Sequence, residues 1–315
     1  MIDARGDAAS APGPRERMRA VSPRPRTAGA ATVALLGVAV LAVSSSGPLV
    51  AASAVAPFAV AFWRNALATV VLVPYTLTRR RAELRALDRR TVGWCVLSGV
   101  LLAAHFATWI PSLHLTSVAT STALVCTTPV WTAILTRAPR ATWAGIAVSV
   151  AGVVLLTGVD LTVSPRALAG DALALAGGAL AAGYVLVGER VRATVSTTVY
   201  TTVCYTVCAA LLLALCVATG TPLAGYDGRS WLGLVALTAG PQFLGHSVFN
   251  QVLDRIPATV VSLVILFEVP GAAVLAWAFL GQVPPALAWP GIALLLGGLA
   301  IVVVGMRRRS AEPVG

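Results

Sequence analysis

The sequence predicts an all-α membrane protein whose ten transmembrane helices form two inverted five-helix repeats. Three observations carry that reading: long uncharged apolar runs, one-sided placement of arginine, and a residue pattern that recurs once along the chain. Hydrophobic residues make up 57% of the 315 positions and charged residues 11%. An ordinary soluble domain has roughly 45–50% and about 25%, and its core has no use for so much apolar surface. Asp, Glu, Lys and Arg are absent from 27–63, 91–136, 193–226 and 269–306. Each run accommodates at least one helix of about 20 residues, and several must fold back as two. Backbone groups in hydrocarbon must pair internally, so spans are helices or closed barrels. The ten-residue alternation of barrel strands is absent, so helices are predicted.

In chain order the expected spans are 28–46, 57–77, 92–112, 117–136, 141–158, 170–187, 195–218, 231–252, 257–280 and 288–305. Trp94, Trp143, Trp231 and Trp289 fall near span starts, where amphipathic rings settle at the membrane interface. Arginine supplies the orientation. All 23 basic residues are Arg, and with the N-terminus inside, 20 of them fall on inside segments. Only Arg166 and Arg229 fall outside, and Arg64 lies within a span. Cytoplasmic loops collect basic residues, so the expected protein is a multi-pass bacterial inner-membrane protein with both termini cytoplasmic. An odd number of helices would place one basic terminus outside.

This placement also accounts for the net charge of +11 without nucleic acid. Residues 1–27, rich in Arg, Pro and Ala, read as a disordered cytoplasmic tail, and 307–315 as a second tail. A cleaved signal peptide is rejected because the apolar stretch after the basic segment is full length and because its removal would take the first helix from the repeat. Cys95, Cys126, Cys204, Cys208 and Cys216 lie in apolar spans without metal-ligand spacing, and read as small buried residues. No metal or cofactor is expected.

A shift of 141 residues lays His105 on His246 and Pro129 on Pro270, with Ala119 and Ala123 on Val260 and Val264. After a five-residue insertion, Trp143, Gly145, Ile146, Ala147 and Gly152 fall on Trp289, Gly291, Ile292, Ala293 and Gly298. Coincidences in one register predict a duplication, with one repeat over 28–158 and the other over 170–306. Five helices per repeat force the second copy upside down. Inverted repeats are a recurring device of secondary transporters, with the substrate site near the midplane between the halves.

At Phe62-Trp63-Arg64-Asn65-Ala66, the small-residue stretch Thr116 to Pro129, Gly170-Asp171, Phe267-Glu268-Val269-Pro270, Ala276-Trp277 and Leu280-Gly281, the chain resembles the drug/metabolite transporter superfamily, specifically its EamA-type ten-helix transporters. The resemblance implies a carrier of small metabolites, amino acids or amphipathic drugs, expected to export them. It covers about 28–306. Family members often carry a Glu just after the fourth and ninth helices; here those places hold Arg137 to Arg140 and Gln282.

Ionisable groups in a bilayer usually face a cavity or a partner. Arg64, whose fork suits a carboxylate or helix-end carbonyls, is read equally as a substrate ligand and a cross-link, with Asn65 following it. Glu268 precedes Pro270, where the broken backbone ladder permits bending. It is a candidate proton carrier or a partner of Arg64. His105 and Trp109 share one helix face, as do His246 and Asn250; Gln242 lies on the His246 helix and Trp131 deep in the fourth. Packing is the competing role for each. Pro129 and Pro270 are candidate hinges, while Gly177, Gly178, Gly183, Gly297 and Gly298 read as close-contact points. The expected mechanism is alternating access around a cavity lined by helices three, four, eight and nine. Expected partners are a small-molecule substrate, the lipid bilayer and protons, with monomer and homodimer both open. The rival class is an intramembrane enzyme acting on a lipid-linked substrate, which would require a nucleophile with a base or clustered metal ligands; no such motif, and no G-x-x-x-x-G-K-[ST], is present.

Overall fold

A computed structural model describes residues 29–116, 118–157, 164–280 and 288–311. The expected tail over 1–27, Gln282 and the last four residues lie outside them. Six described helical stretches are long and apolar enough to cross a membrane: Ala30–Ala51, Pro57–Arg79, Arg89–Ser112, Pro165–Arg192, Thr197–Ala218 and Gly228–Val252. Four shorter apolar helices, Thr120–Leu135, Thr142–Leu155, Ala258–Ala272 and Trp289–Gly305, accompany them. Every regular element among the described residues is helical. The chain is an all-α membrane protein.

In chain order the elements are α1 (Ala30–Ser44), α2 (Ser46–Ala51), α3 (Pro57–Arg79), α4 (Arg81–Arg85), α5 (Arg89–Ser112), α6 (Val118–Val125), α7 (Thr128–Leu135) and α8 (Arg140–Thr157). There follow α9 (Pro165–Arg192), α10 (Thr197–Ala218), α11 (Gly228–Leu237), a π-helical segment (Thr238–Ser247), α12 (Val248–Val252), α13 (Ala258–Ile265), α14 (Glu268–Leu280) and α15 (Ala288–Ala311).

Helix starts carry side-chain caps. Asp88 accepts from the Thr91 N–H at 2.7 Å, Ser164 from Ala167 at 3.1 Å, and Asp227 from Ser230 at 2.9 Å. Each satisfies one of the unpaired donors of a first turn. These bonds, first from the side chains of Thr91 and Ser230, hold the Asp88 and Asp227 carboxyls below the ordinary aspartate value.

Five spans depart from expectation. The sixth span is longer at both ends than 170–187, because Ser164 and Pro165 supply a cap and a pre-set first turn. The tenth continues to Ala311, so Arg307, Arg308 and Arg309 are helical rather than part of a tail. The eighth is no simple α-helix. Pro241 has no N–H to give the ladder, and ten residues around it widen into π turns. The fourth and ninth are each interrupted, at Cys126–Thr127 and Leu266–Phe267. Pro129 lies in the first turn of the segment that resumes, and Pro270 lies early in α14.

Packing follows a regular scheme. α8 runs along α15, α3 along α10, α5 along α9, and α1 along the π segment, while α6 and α7 touch α9 and α14 touches α1. Small residues let the α8 and α15 backbones approach. A methyl group added at Gly145 would lie 2.6 Å from the Gly298 carbonyl oxygen, and one at Gly152 would lie 2.6 Å from that of Gly291. Gly178 presses on the Val125 carbonyl at 2.8 Å by the same measure, and Gly177 and Gly183 meet side chains of α5. Gly297 faces open space, so the expectation of a close contact there is corrected: it lies one residue off the contact stripe.

Gly145→Ala and Gly152→Ala are expected to lower stability in detergent by about 1–3 kcal/mol each, through overpacking against backbone that cannot yield. Gly297→Ala should leave the melting temperature unchanged. The caps carry a pH signature. A depressed carboxyl stabilises above the unfolded aspartate value and loses that contribution as pH falls through its folded value. Asp88→Asn, which keeps an acceptor, should remove that portion of the acid dependence of melting.

Candidate functional site

Each half-span ends or bends beside the centre of the molecule, where the apolar packing gives way to polar side chains. α1 brings Val43 and α2 brings Ser46; α5 brings His105 and Trp109; α9 brings Tyr184; the π segment and α12 bring His246, Phe249 and Asn250; and α14 opens on Glu268. Together they line a cavity of about 60 Å³, room for a handful of waters. Cys126, at the break in the fourth span, completes one wall.

The two repeat-matched histidines meet here, with ring centroids 6.5 Å apart. His105 stacks on Trp109 at 5.8 Å, and its Nδ1 lies 2.9 Å from the Gly177 carbonyl oxygen. A carbonyl only accepts, so Nδ1 carries the hydrogen, and in the neutral ring Nε2 remains a free acceptor. His246, half-buried, packs against Phe106 and Tyr184 at 5.5 and 6.2 Å. The Asn250 amide donates to the Tyr184 hydroxyl at 2.5 Å. Glu268 is 8% exposed and makes no hydrogen bond or ion pair with any described residue.

Arg64, Asn65 and Gln242 are not on the cavity wall. They form a fully buried network behind it. Arg64 Nε donates to Gln242 Oε1 at 3.0 Å, and Nη1 to Ser46 Oγ at 3.3 Å. The Gln242 amide donates to Asn65 Oδ1 at 3.0 Å, and the Asn65 amide to the Ala61 carbonyl at 2.9 Å. The guanidinium carbon sits 4.3 Å over the Phe106 ring, a placement favoured by the ring's negative face. Nη2 has no partner among the described residues, and neither does the buried Trp109 Nε1. The alternative of an Arg64–Glu268 ion pair is not realised: the cation is anchored by neutral acceptors and an aromatic face instead.

Two further expectations are amended. Trp131 does not reach the cavity; it is half-buried, and its Nε1 donates to the Thr127 hydroxyl at 3.2 Å beside the helix break. The cavity is lined by α1, α2 and α9 as well as by the four spans expected. Tyr184 and Ser46 were missed because neither carries a charge to draw attention in an apolar helix. The run Gly177-Gly178 and Gly183 was the available signal, since it lets α9 approach close enough to put Tyr184 at the centre.

Fold and site together define a polytopic membrane protein built around a small central chamber, mostly apolar, into which a few polar side chains converge. Residues 168–304 match the model of the EamA-like transporter family, which is part of the drug/metabolite transporter superfamily. Members of the family are membrane transporters of small molecules. A solved structure titled "Crystal structure of protein" superposes with a TM-score of 0.69 at 23% sequence identity, over 88% of this chain and 98% of its own, which establishes a shared fold. No curated protein matches the chain.

Gln242→Leu strands both Arg64 Nε and Asn65 Oδ1 in the interior. Unfolding of the purified protein should show a loss of about 2–4 kcal/mol, the scale of losing a bond to a buried charge together with a neutral one.

Proposed function

We propose that the protein is a secondary carrier that exports a small metabolite, amino acid or amphipathic drug across the bacterial inner membrane by alternating access, with Glu268 coupling transport to protons. In this reading ten spans form two inverted repeats with both termini in the cytoplasm, Pro129 and Pro270 mark the hinges, and His105, Trp109, His246, Asn250 and Glu268 meet the substrate. Arg64, Asn65 and Gln242 hold the wall behind them.

The observation that carries the proposal is the pairing scheme around the chamber. Residues matched by the repeat meet crosswise: Gly145 touches Gly298, and Gly152 touches Gly291. The same exchange turns the α5 with α9 contact into the π segment with α1 contact. Reciprocal contact of this kind is what a two-fold axis produces, and an in-plane axis is the geometry of carriers with inverted repeats. The two histidines meeting across the chamber agree with it. An intramembrane carboxyl with no partner is a default candidate for proton or substrate exchange.

In proteoliposomes the protein should accelerate the saturable counterflow of a solute found by a thermal-shift screen. Glu268→Gln should keep binding and flatten the pH dependence of flux. A flux with unaltered pH dependence in that variant would remove the coupling claim, and the absence of saturable flux for every solute that shifts the melting temperature would remove the carrier assignment.

A further inference from the structure

A second concavity of about 670 Å³ lies on the far side of the helix that carries His246 and Asn250. It is lined by Arg80, Arg192, the 193–198 turn, Ser247, Gln251 and Asp254, among others. One helix separates it from the central chamber. His246, Phe249, Asn250 and Leu253 face the chamber, whereas Ser247, Val248, Gln251 and Asp254 face the basin. That is the alternation of two opposite helical stripes.

Asn250 is held from both sides of this partition. Its side-chain amide donates to Tyr184 on the chamber side, and its carbonyl accepts from Arg192 Nε at 2.9 Å on the basin side. The carbonyl belongs to the last turn of α12, where four carbonyls have no partner within the helix, and a cation at a helix C-terminus is favourable. Arg192, 7% exposed, also donates through Nη1 to the Val195 carbonyl, and its Nη2 lies 3.6 Å from Asp254. The guanidinium therefore binds the end of α9, the turn before α10 and the end of α12 into one latch. Just upstream the partition is π-helical, with Gly240, Pro241 and Gly245 in its turns; Pro241 gives the ladder no N–H there, and π turns recur at functional sites.

We propose that the basin is the access vestibule of the central chamber and that Arg192 is the positioning residue that keeps the partition shut, by fixing Asn250. This rests on reading the central chamber as the transport site. A chamber of about 60 Å³ is smaller than the roughly 300–1,000 Å³ of small-molecule pockets, so a wall has to move for a solute to enter. Of the walls, this helix has the larger concavity, of about 670 Å³, against its other face.

Cys126 in the chamber wall is a native reporter, because the other four cysteines are buried outside that lining. The full-length protein in lipid nanodiscs is treated with 2-(trimethylammonium)ethyl methanethiosulfonate, and modification at Cys126 and Cys204 is followed by mass spectrometry. Arg192→Gln should raise the rate at Cys126 about tenfold, equivalent to about 1.4 kcal/mol of lost closed-state preference, with Cys204 still protected. Adding Ser247→Trp, which fills the basin floor, should return the rate to that of the wild type. An unchanged rate at Cys126, a rise at both cysteines together, or a rise that Ser247→Trp does not suppress would each overturn the proposal. Should Arg192→Gln not fold, Asp254→Asn should give a smaller rise in the same direction, and its absence would count equally against the latch. Labelling reads access without requiring flux, so this outcome is separable from the transport assay.

Discussion

A guanidinium buried without a carboxylate organises the middle of this molecule. Arg64 cannot reach water, so its donors must find acceptors inside the protein, and those acceptors come from α2 and the π segment, with the Phe106 ring of α5 against its face. Four elements distant in sequence are thereby held in one register around a single charge. Desolvating a guanidinium costs several kcal/mol, and leaving any of its partners unmatched adds to that cost. Nε and Nη1 are matched, while Nη2 has no partner among the described residues.

The contrast between the two shells is the functional content of the fold. Behind the wall, Gln242 and Asn65 close a chain of hydrogen bonds that ends on the Ala61 backbone. At the wall, the Glu268 carboxyl and Trp109 Nε1 are left without hydrogen bonds to described residues, while His105, Asn250, Tyr184 and Ser46 are tied by theirs. Unmet polar groups are costly in an apolar interior, and two of those among the described residues, Trp109 Nε1 and Arg64 Nη2, lie at the chamber wall and just behind it. The interrupted helices serve the same centre. Breaks at Cys126–Thr127 and Leu266–Phe267 release backbone groups that an apolar environment accepts only where protein or a cavity surrounds them.

The pairing of α8 with α15 plays a different part. Their glycines bring backbones into contact by van der Waals packing, the main source of helix association where lipid is as apolar as the side chains. No described residue of this pair lines the chamber. It ties the two halves together without committing the central helices to one arrangement.

Much of this could be read from the sequence alone, because hydrocarbon leaves the backbone few options. The uncharged runs required helices, and His105, His246, Glu268 and Asn250 stood out as polar residues where none is cheap. Tertiary structure alone decided which of them share a space. Gln242 sits in the same span as His246 but faces away from the chamber, and Arg64 and Asn65 belong to α3, which does not line it; a helix's rotation and placement are set by its neighbours rather than by its own residues. Pro241 marked a disturbance but not its form, since a kink and a π turn both accommodate a missing N–H. Tyr184, Ser46 and the Arg192 latch were invisible because their importance is a matter of what lies opposite, and that is a property of packing between segments far apart in the chain.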